Sequence, residues 1–166
     1  MSVEGDAYIP SDAPLAKDDM LTIDLHPEIG GCWGDCARSF FLRDGELVSA
    51  KEAGAEQAEG MAAEAAVHAL VIDAARPDIT FRELHALIEQ ELTSRGFENL
   101  DFLGNFGHSI GGEVRGRIFL DAECCARLDS VPLFTLEPHI ARSNSRLAFK
   151  YEEIYRFGKG GRLKLL

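Results

Sequence analysis

Basic residues are scarce in this sequence: 17 Lys and Arg stand against 28 Asp and Glu, a formal net charge of −11. Nucleic acid and anionic membrane surfaces are bound through clustered Lys and Arg, so neither is expected as the main partner. No apolar run reaches the roughly 18–20 residues of a membrane-crossing helix, which argues against a transmembrane protein. Cysteine is scarce too. The four present, Cys32, Cys36, Cys124 and Cys125, lack the paired CxxC spacing of a zinc site. A chain of 166 residues with 46% apolar side chains can build one core without a disulfide frame. Residues 1–14 show no basic start followed by an apolar stretch. A signal peptide is therefore not expected, and a reducing cytoplasm is the default.

What is present divides into a polar lead-in over residues 1–18, a domain over 19–158 and a basic tail over 159–166, read as a frayed end. Residues 20–26 alternate apolar and polar, as a strand does, and a turn over 27–31 leads to a second strand over 32–42. That strand would put Asp35 on one face with Trp33, Ala37 and Ser39. An Ala- and Glu-rich helix is predicted over 51–76, weakened at Gly54 and Gly60, with Met61, Ala65, His68, Ala69 and Ile72 as its stripe. A second helix starts at Thr80, where Thr80 and Glu83 form a capping box. Its stripe is Phe81, Leu84, Ile88 and Leu92, and Gly96 ends it. Strands follow over 131–140, carrying Glu137, and 146–157, carrying Glu152 and Glu153. The order implies an α+β domain with helices on one side of a mostly antiparallel sheet.

Five residues stand out chemically. Asp24 and Asp35 lie on consecutive strands that a hairpin would bring side by side, where they repel unless a cation or a shared proton intervenes. Solvated strand-edge positions are the plainer alternative. His108 sits between glycines in Gly107-His-Ser-Ile-Gly111, where the backbone can approach whatever the imidazole touches. Glu137 is an acid within the apolar run 134–138, and needs a cation, an arginine partner or a proton. Glu152 lies in another β-forming run. Together they make a hard oxygen-and-imidazole set suited to a pair of divalent cations such as manganese, cobalt, iron or zinc. Two such ions about 3.5–4 Å apart would share bridging carboxylates and an activated water.

In their order and spacing these motifs resemble the pita-bread metallopeptidase family, which includes Xaa-Pro aminopeptidases, prolidases, methionine aminopeptidases and the metal-free creatinases. The residues carrying the resemblance are Ile23-Asp24, Gly34-Asp35-Cys-Ala-Arg38, Gly107-His108-Ser-Ile-Gly111, Phe134-Thr-Leu-Glu137-Pro138 and Tyr151-Glu152-Glu153. The segment 74–80 before the second helix adds to it, and the likeness runs from about residue 14 to 157. It implies a curved, mostly antiparallel sheet with helices packed on it. It also implies that Asp24 binds one metal, Asp35 and Glu152 bridge both, and His108 and Glu137 bind the second. Glu137 would be the general base as well. Two divalent ions are implied, manganese first and cobalt, iron or zinc after it. The implied activity is a dinuclear metal-dependent hydrolase, of the Xaa-Pro aminopeptidase or dipeptidase kind, acting on a small peptide or peptide-like amide.

Three departures qualify this. The family's second histidine falls on Arg115, which could clamp a carboxylate or oxyanion, or pair with Glu113 at the surface. Glu-Pro-Gly becomes Glu137-Pro138-His139, and His26 follows Asp24 by two, so either histidine could enter acid–base work or be structural. The helices and strands that precede the first aspartate strand in the family have no counterpart here. Either the chain is a fragment, or a second copy or a partner chain completes the fold, and a homodimer is the expectation. The rival functions are a relative acting on a non-peptide substrate (lyase or amidinohydrolase type) and a truncated, non-catalytic binding module. Cys124 and Cys125 read as small buried hydrophobes.

Overall fold

Alternation in residues 19–25 produces strand β1 (Asp19–Leu25), which pairs antiparallel with β4 (Cys36–Arg43) in a register that sets Asp24 opposite Ala37. The structure is a computed structural model and describes residues 12–111 and 116–166. The predicted strand over 32–42 is broken. A short ribbon of β2 (Glu28–Ile29) and β3 (Cys32–Trp33) precedes β4, and the Gly34 N–H donates to the Pro27 carbonyl at 2.9 Å. That bond pinches the chain and leaves Asp35 in a corner instead of on a strand face. Strand β5 (Glu46–Val48) continues the sheet through an Asp44-Gly45 turn with φ of 53° and 84°, the left-handed pair that a two-residue hairpin needs.

Gly54 does divide the Ala/Glu-rich segment, into α1 (Ala50–Ala53) and α2 (Ala55–Ala74). Gly60 does not. It is buried inside α2, and a Cβ there would stand 2.4 Å from the Phe149 ring, so the glycine makes room for a packed aromatic side chain. The buried stripe of α2 is Gly60, Ala63, Glu64, Val67, His68 and Val71, while Ala65, Ala69 and Ile72 face outward. A carboxyl within the inward face shifted the pattern by about one residue. Helix α3 (Phe81–Ser94) has the predicted Thr80–Glu83 capping box, and Phe81, Leu84, Ile88 and Leu92 are all buried.

Two further sheets complete the fold. Strands β6 (Phe97–Asn99), β9 (His139–Arg142) and β10 (Ala148–Lys150) form one, in the order β10-β9-β6. Strands β7 (Ser109–Ile110), β8 (Leu133–Leu136), β11 (Glu153–Phe157) and β12 (Leu163–Leu165) form the other, in the order β12-β11-β8-β7. All pairings between these strands are antiparallel. Each of the two long predicted strands therefore changes sheet midway. Residues 131–140 break at Glu137-Pro138, because proline has no N–H to continue a ladder. Residues 146–157 break at Tyr151-Glu152, where the Glu152 N–H crosses to the Ala37 carbonyl at 3.0 Å. The tail is not frayed throughout, since Leu163 to Leu165 pairs with β11.

Phe81, Leu84 and Ile88 of α3, Val67 and Val71 of α2, and Phe134, Leu136, Ile140 and Phe149 of the sheets share one buried cluster. Each such side chain contributes about 1.5–3 kcal/mol by leaving water. The vicinal cysteines are not buried: Cys124 is intermediate and Cys125 exposed. Among the described residues no helix is long and apolar enough to cross a membrane.

Candidate metal centre

The two points where strands change sheet, together with the corner of the first hairpin, bring acids together. One carboxylate oxygen from each of Asp24, Asp35 and Glu152 lies within 4.8 Å of the others. Glu152 is 0% exposed, and neither of its oxygens has a hydrogen-bond partner. Burial, and then the charges of Glu137 and Asp35, push its carboxyl up to about 9. Without a cation it holds a proton at neutral pH. A buried acid with no partner in a group of acids suits a place that takes a cation.

His108 completes the ring through a close backbone approach. At Gly107, φ is 153° and a Cβ would stand 2.2 Å from the Thr135 carbonyl oxygen, so only glycine fits. The His108 N–H donates to Thr135 Oγ1 at 2.9 Å, and the Thr135 N–H returns a bond to the His108 carbonyl at 2.7 Å. The imidazole Nδ1–H donates to the Ser109 carbonyl at 3.1 Å, which leaves the Nε2 lone pair facing the acids. Nε2 is 3.4 Å from Asp35 Oδ2 and 3.2 Å from Glu137 Oε1. Thr135 Oγ1 donates to the same Glu137 oxygen at 3.0 Å and fixes its aim. Ligand atoms about 2.1 Å from a shared ion, at tetrahedral or octahedral angles, lie about 3.0–3.4 Å apart. The donor set and its spacing therefore fit a divalent metal ion.

All five expected ligands thus converge. The remaining candidates fare differently. His26 stacks on Trp33 with centroids 4.7 Å apart, and its Nδ1 is 3.9 Å from Asp35 Oδ2. His139 lies opposite Lys150 in the β9–β10 ladder, with Nε2 buried and unpartnered. Burial and the Lys150 charge bring its imidazole down to about 4, so it is neutral. Arg115 lies outside the described residues. Glu153 pairs with Arg38, which also bonds the Glu152 carbonyl.

Two cations at the centre escaped the sequence patterning. Lys150 Nζ is 2.9 Å from Asp24 Oδ2 and 3.0 Å from Glu137 Oε2, with only 12% of its side chain exposed. Burial pulls its ammonium down, but Glu137 and Asp24 more than offset this, and its pKa is raised. Arg117 Nη1 donates to His108 Nε2 at 3.1 Å. The available signals were a lysine two residues before Glu152, which alternation places on the same face, and an arginine two residues beyond Arg115. A cavity of about 320 Å³ opens over Asp24, Asp35, His108 and Glu137. Phe102 and Phe119 form its apolar side, and Arg117 its basic side.

Comparison with known proteins agrees with this geometry. The model of metallopeptidase family M24 matches residues 4–161. A methionine aminopeptidase of Chlamydia trachomatis serovar D is 28% identical over 137 residues, which cover 80% of this chain and 43% of that protein. The X-Pro aminopeptidase structure from Thermotoga maritima superposes with a TM-score of 0.76 at 18% identity, covering 99% of this chain and 43% of that one. The prolidase from Pyrococcus furiosus gives 0.76 at 19% identity, covering 99% and 45%. The chain spans less than half the length of each of these relatives.

Proposed function

The chain belongs to metallopeptidase family M24 and has its pita-bread fold, and from that premise we propose that it is a metal-dependent hydrolase of a small peptide or peptide-like amide. The observation that carries this is the buried, unpartnered Glu152 carboxyl within reach of Asp24 and Asp35, with His108 Nε2 3.4 Å from the same Asp35. The five ligands are read as taking divalent ions, manganese before cobalt, iron or zinc, in two places. Bound ions would supply Lewis acidity and bring the pKa of water towards neutrality.

The chain's own residues then divide the work. Glu137, aimed by Thr135, takes the proton of the attacking water and returns it to the leaving amine. Asp35 and Glu152 hold the centre from two sides. Arg117 takes the role expected of Arg115, holding the substrate's anionic end at the cavity mouth. Phe102 and Phe119 receive its apolar part. A second copy of the chain is the proposed cover for β1, which has one strand neighbour among the described residues and half-exposed Ile23 and Leu25.

Hydrolysis of dipeptides ending in proline and of short methionyl peptides tests the reading, with manganese-loaded wild type beside Glu137→Gln. Metal-dependent release of amino acids is expected, reduced at least about 100-fold in the variant. Absence of metal-dependent turnover across both substrate sets would overturn it.

A further inference from the structure

Among the described residues no group bonds the Glu152 carboxyl, so its backbone must aim it. Glu137 differs, because Thr135 holds its carboxylate directly. Tyr151 and Glu152 lie outside the β10 and β11 ladders, beside a single antiparallel bridge from Tyr151 to Arg38. The amide that joins them is pinned at both ends. Its N–H, that of Glu152, donates to the Ala37 carbonyl of β4 at 3.0 Å. Its C=O, that of Tyr151, faces His68 Nε2 of α2 at 3.0 Å. The C=O and N–H of a trans peptide point in opposite directions, so two such bonds stop the plane from turning. That plane sets the direction in which the Glu152 side chain leaves the backbone.

A carbonyl oxygen only accepts, so His68 carries its proton on Nε2. Nδ1 is then the acceptor, and the Tyr155 hydroxyl donates to it at 2.8 Å. An imidazolium could not accept that bond. Burial lowers the pKa of the ring and keeps it neutral at neutral pH. The ring is 6% exposed and meets Tyr151 edge-on, with centroids 5.0 Å apart. On the far side Arg38 donates to the Glu152 carbonyl and the Glu153 carboxylate, and its guanidinium lies 4.1 Å from the centre of the Tyr151 ring. Of the groups that hold this corner, His68 is the one supplied by the helix layer.

We propose that His68 is a positioning residue of the metal centre: its Nε2–H holds the Tyr151–Glu152 amide, and through it the aim of the Glu152 carboxyl. The inference rests on the metal-dependent reading above. Helix α2, which carries none of the five expected ligands, thereby takes part in holding the ion.

Calorimetric titration of the metal-stripped full chain with manganese tests this, beside thermal melts of the same metal-free proteins. His68→Phe keeps a ring but loses the donor, and is expected to bind manganese about 10–100-fold more weakly than wild type. The amide nitrogen of glutamine can stand where Nε2 stands, and that of asparagine only where Nδ1 stands. His68→Gln should therefore return to within about threefold of wild type, while His68→Asn stays with His68→Phe. A purely structural histidine would lower the melts of the variants and leave the affinity of the folded proteins alone. Proton–nitrogen NMR of the metal-free wild type reads the ring without any variant, and His68 is expected to be protonated at Nε2 alone. Unchanged affinity in folded His68→Phe, no return in folded His68→Gln, or a wild-type ring protonated at Nδ1 would each overturn the proposal while leaving the metal centre standing. No uptake by wild type would overturn the metal reading with it.

Discussion

Asp24 and Glu152 belong to one centre, yet Asp24 is 44% exposed near the end of an edge strand, while Glu152 is 0% exposed where two sheets meet. The same contrast separates the two walls they stand on. The hairpin wall carried by β1 is thin, with β1 paired on one side among the described residues. The opposite wall, with His108 and Glu137, is tied by Thr135 to both residues and backed by the buried cluster. Ligands fixed before the ion arrives lose little freedom on binding it. Affinity should therefore reside in the inner wall, and adaptability in the hairpin.

The largest test of this contrast is Glu152→Gln, which should weaken manganese binding at least about 1,000-fold while the metal-free protein melts no lower than wild type. Calorimetry and thermal melts read both halves, and a retained affinity would place the ion elsewhere. Next is Gly107→Ala. A methyl group 2.2 Å from the Thr135 carbonyl must push the His108 segment off β8, at a cost of about 2–4 kcal/mol seen in denaturant melts. Asp24→Asn, on the thin wall, should reduce turnover about tenfold or less at saturating metal. An effect as large as that of Glu152→Gln would erase the difference between the walls.

A second buried acid sharpens the contrast from the other side. Glu64 on α2 is also 0% exposed with both oxygens unpartnered, but it does not belong to the acidic group that could hold an ion. Burial holds its carboxyl well above the usual 4.5, with Lys150 opposing more weakly. Because the folded value is raised, its favourable contribution is complete below about pH 4.5 and is lost as the pH climbs through that raised value. Glu64→Leu should remove this decline and stabilise the metal-free protein by about 1–3 kcal/mol at pH 8, read from melts across pH. Metal affinity should not change. Burial alone does not make a ligand; its neighbours do.

Local chemistry was legible in the sequence where one element decides it. The Thr80–Glu83 box and the four-residue stripe of α3 need no tertiary partner to be recognised. The five residues proposed as ligands were legible as an ordered series, and the fold brings them together. The changes of sheet at Glu137-Pro138 and Tyr151-Glu152 were not, because apolar residues continue on both sides and only tertiary pairing tells one ladder from two. Lys150 was missed for a related reason. Its partner Asp24 lies 126 positions away, and nothing local marks a lysine as the neighbour of a distant aspartate. On α2, Glu64 lies on the inward face, and the stripe inferred from Met61, Ala65, Ala69 and Ile72 fell beside the true one.

The most direct measurement is elemental analysis of wild type and Asp35→Ala after incubation with manganese and removal of free ion. Asp35 stands between the walls, near Asp24 and Glu152 and 3.4 Å from His108 Nε2. The account predicts firmly bound manganese in wild type and none in a folded Asp35→Ala. Equal uptake by the two proteins, or none by wild type, would contradict it.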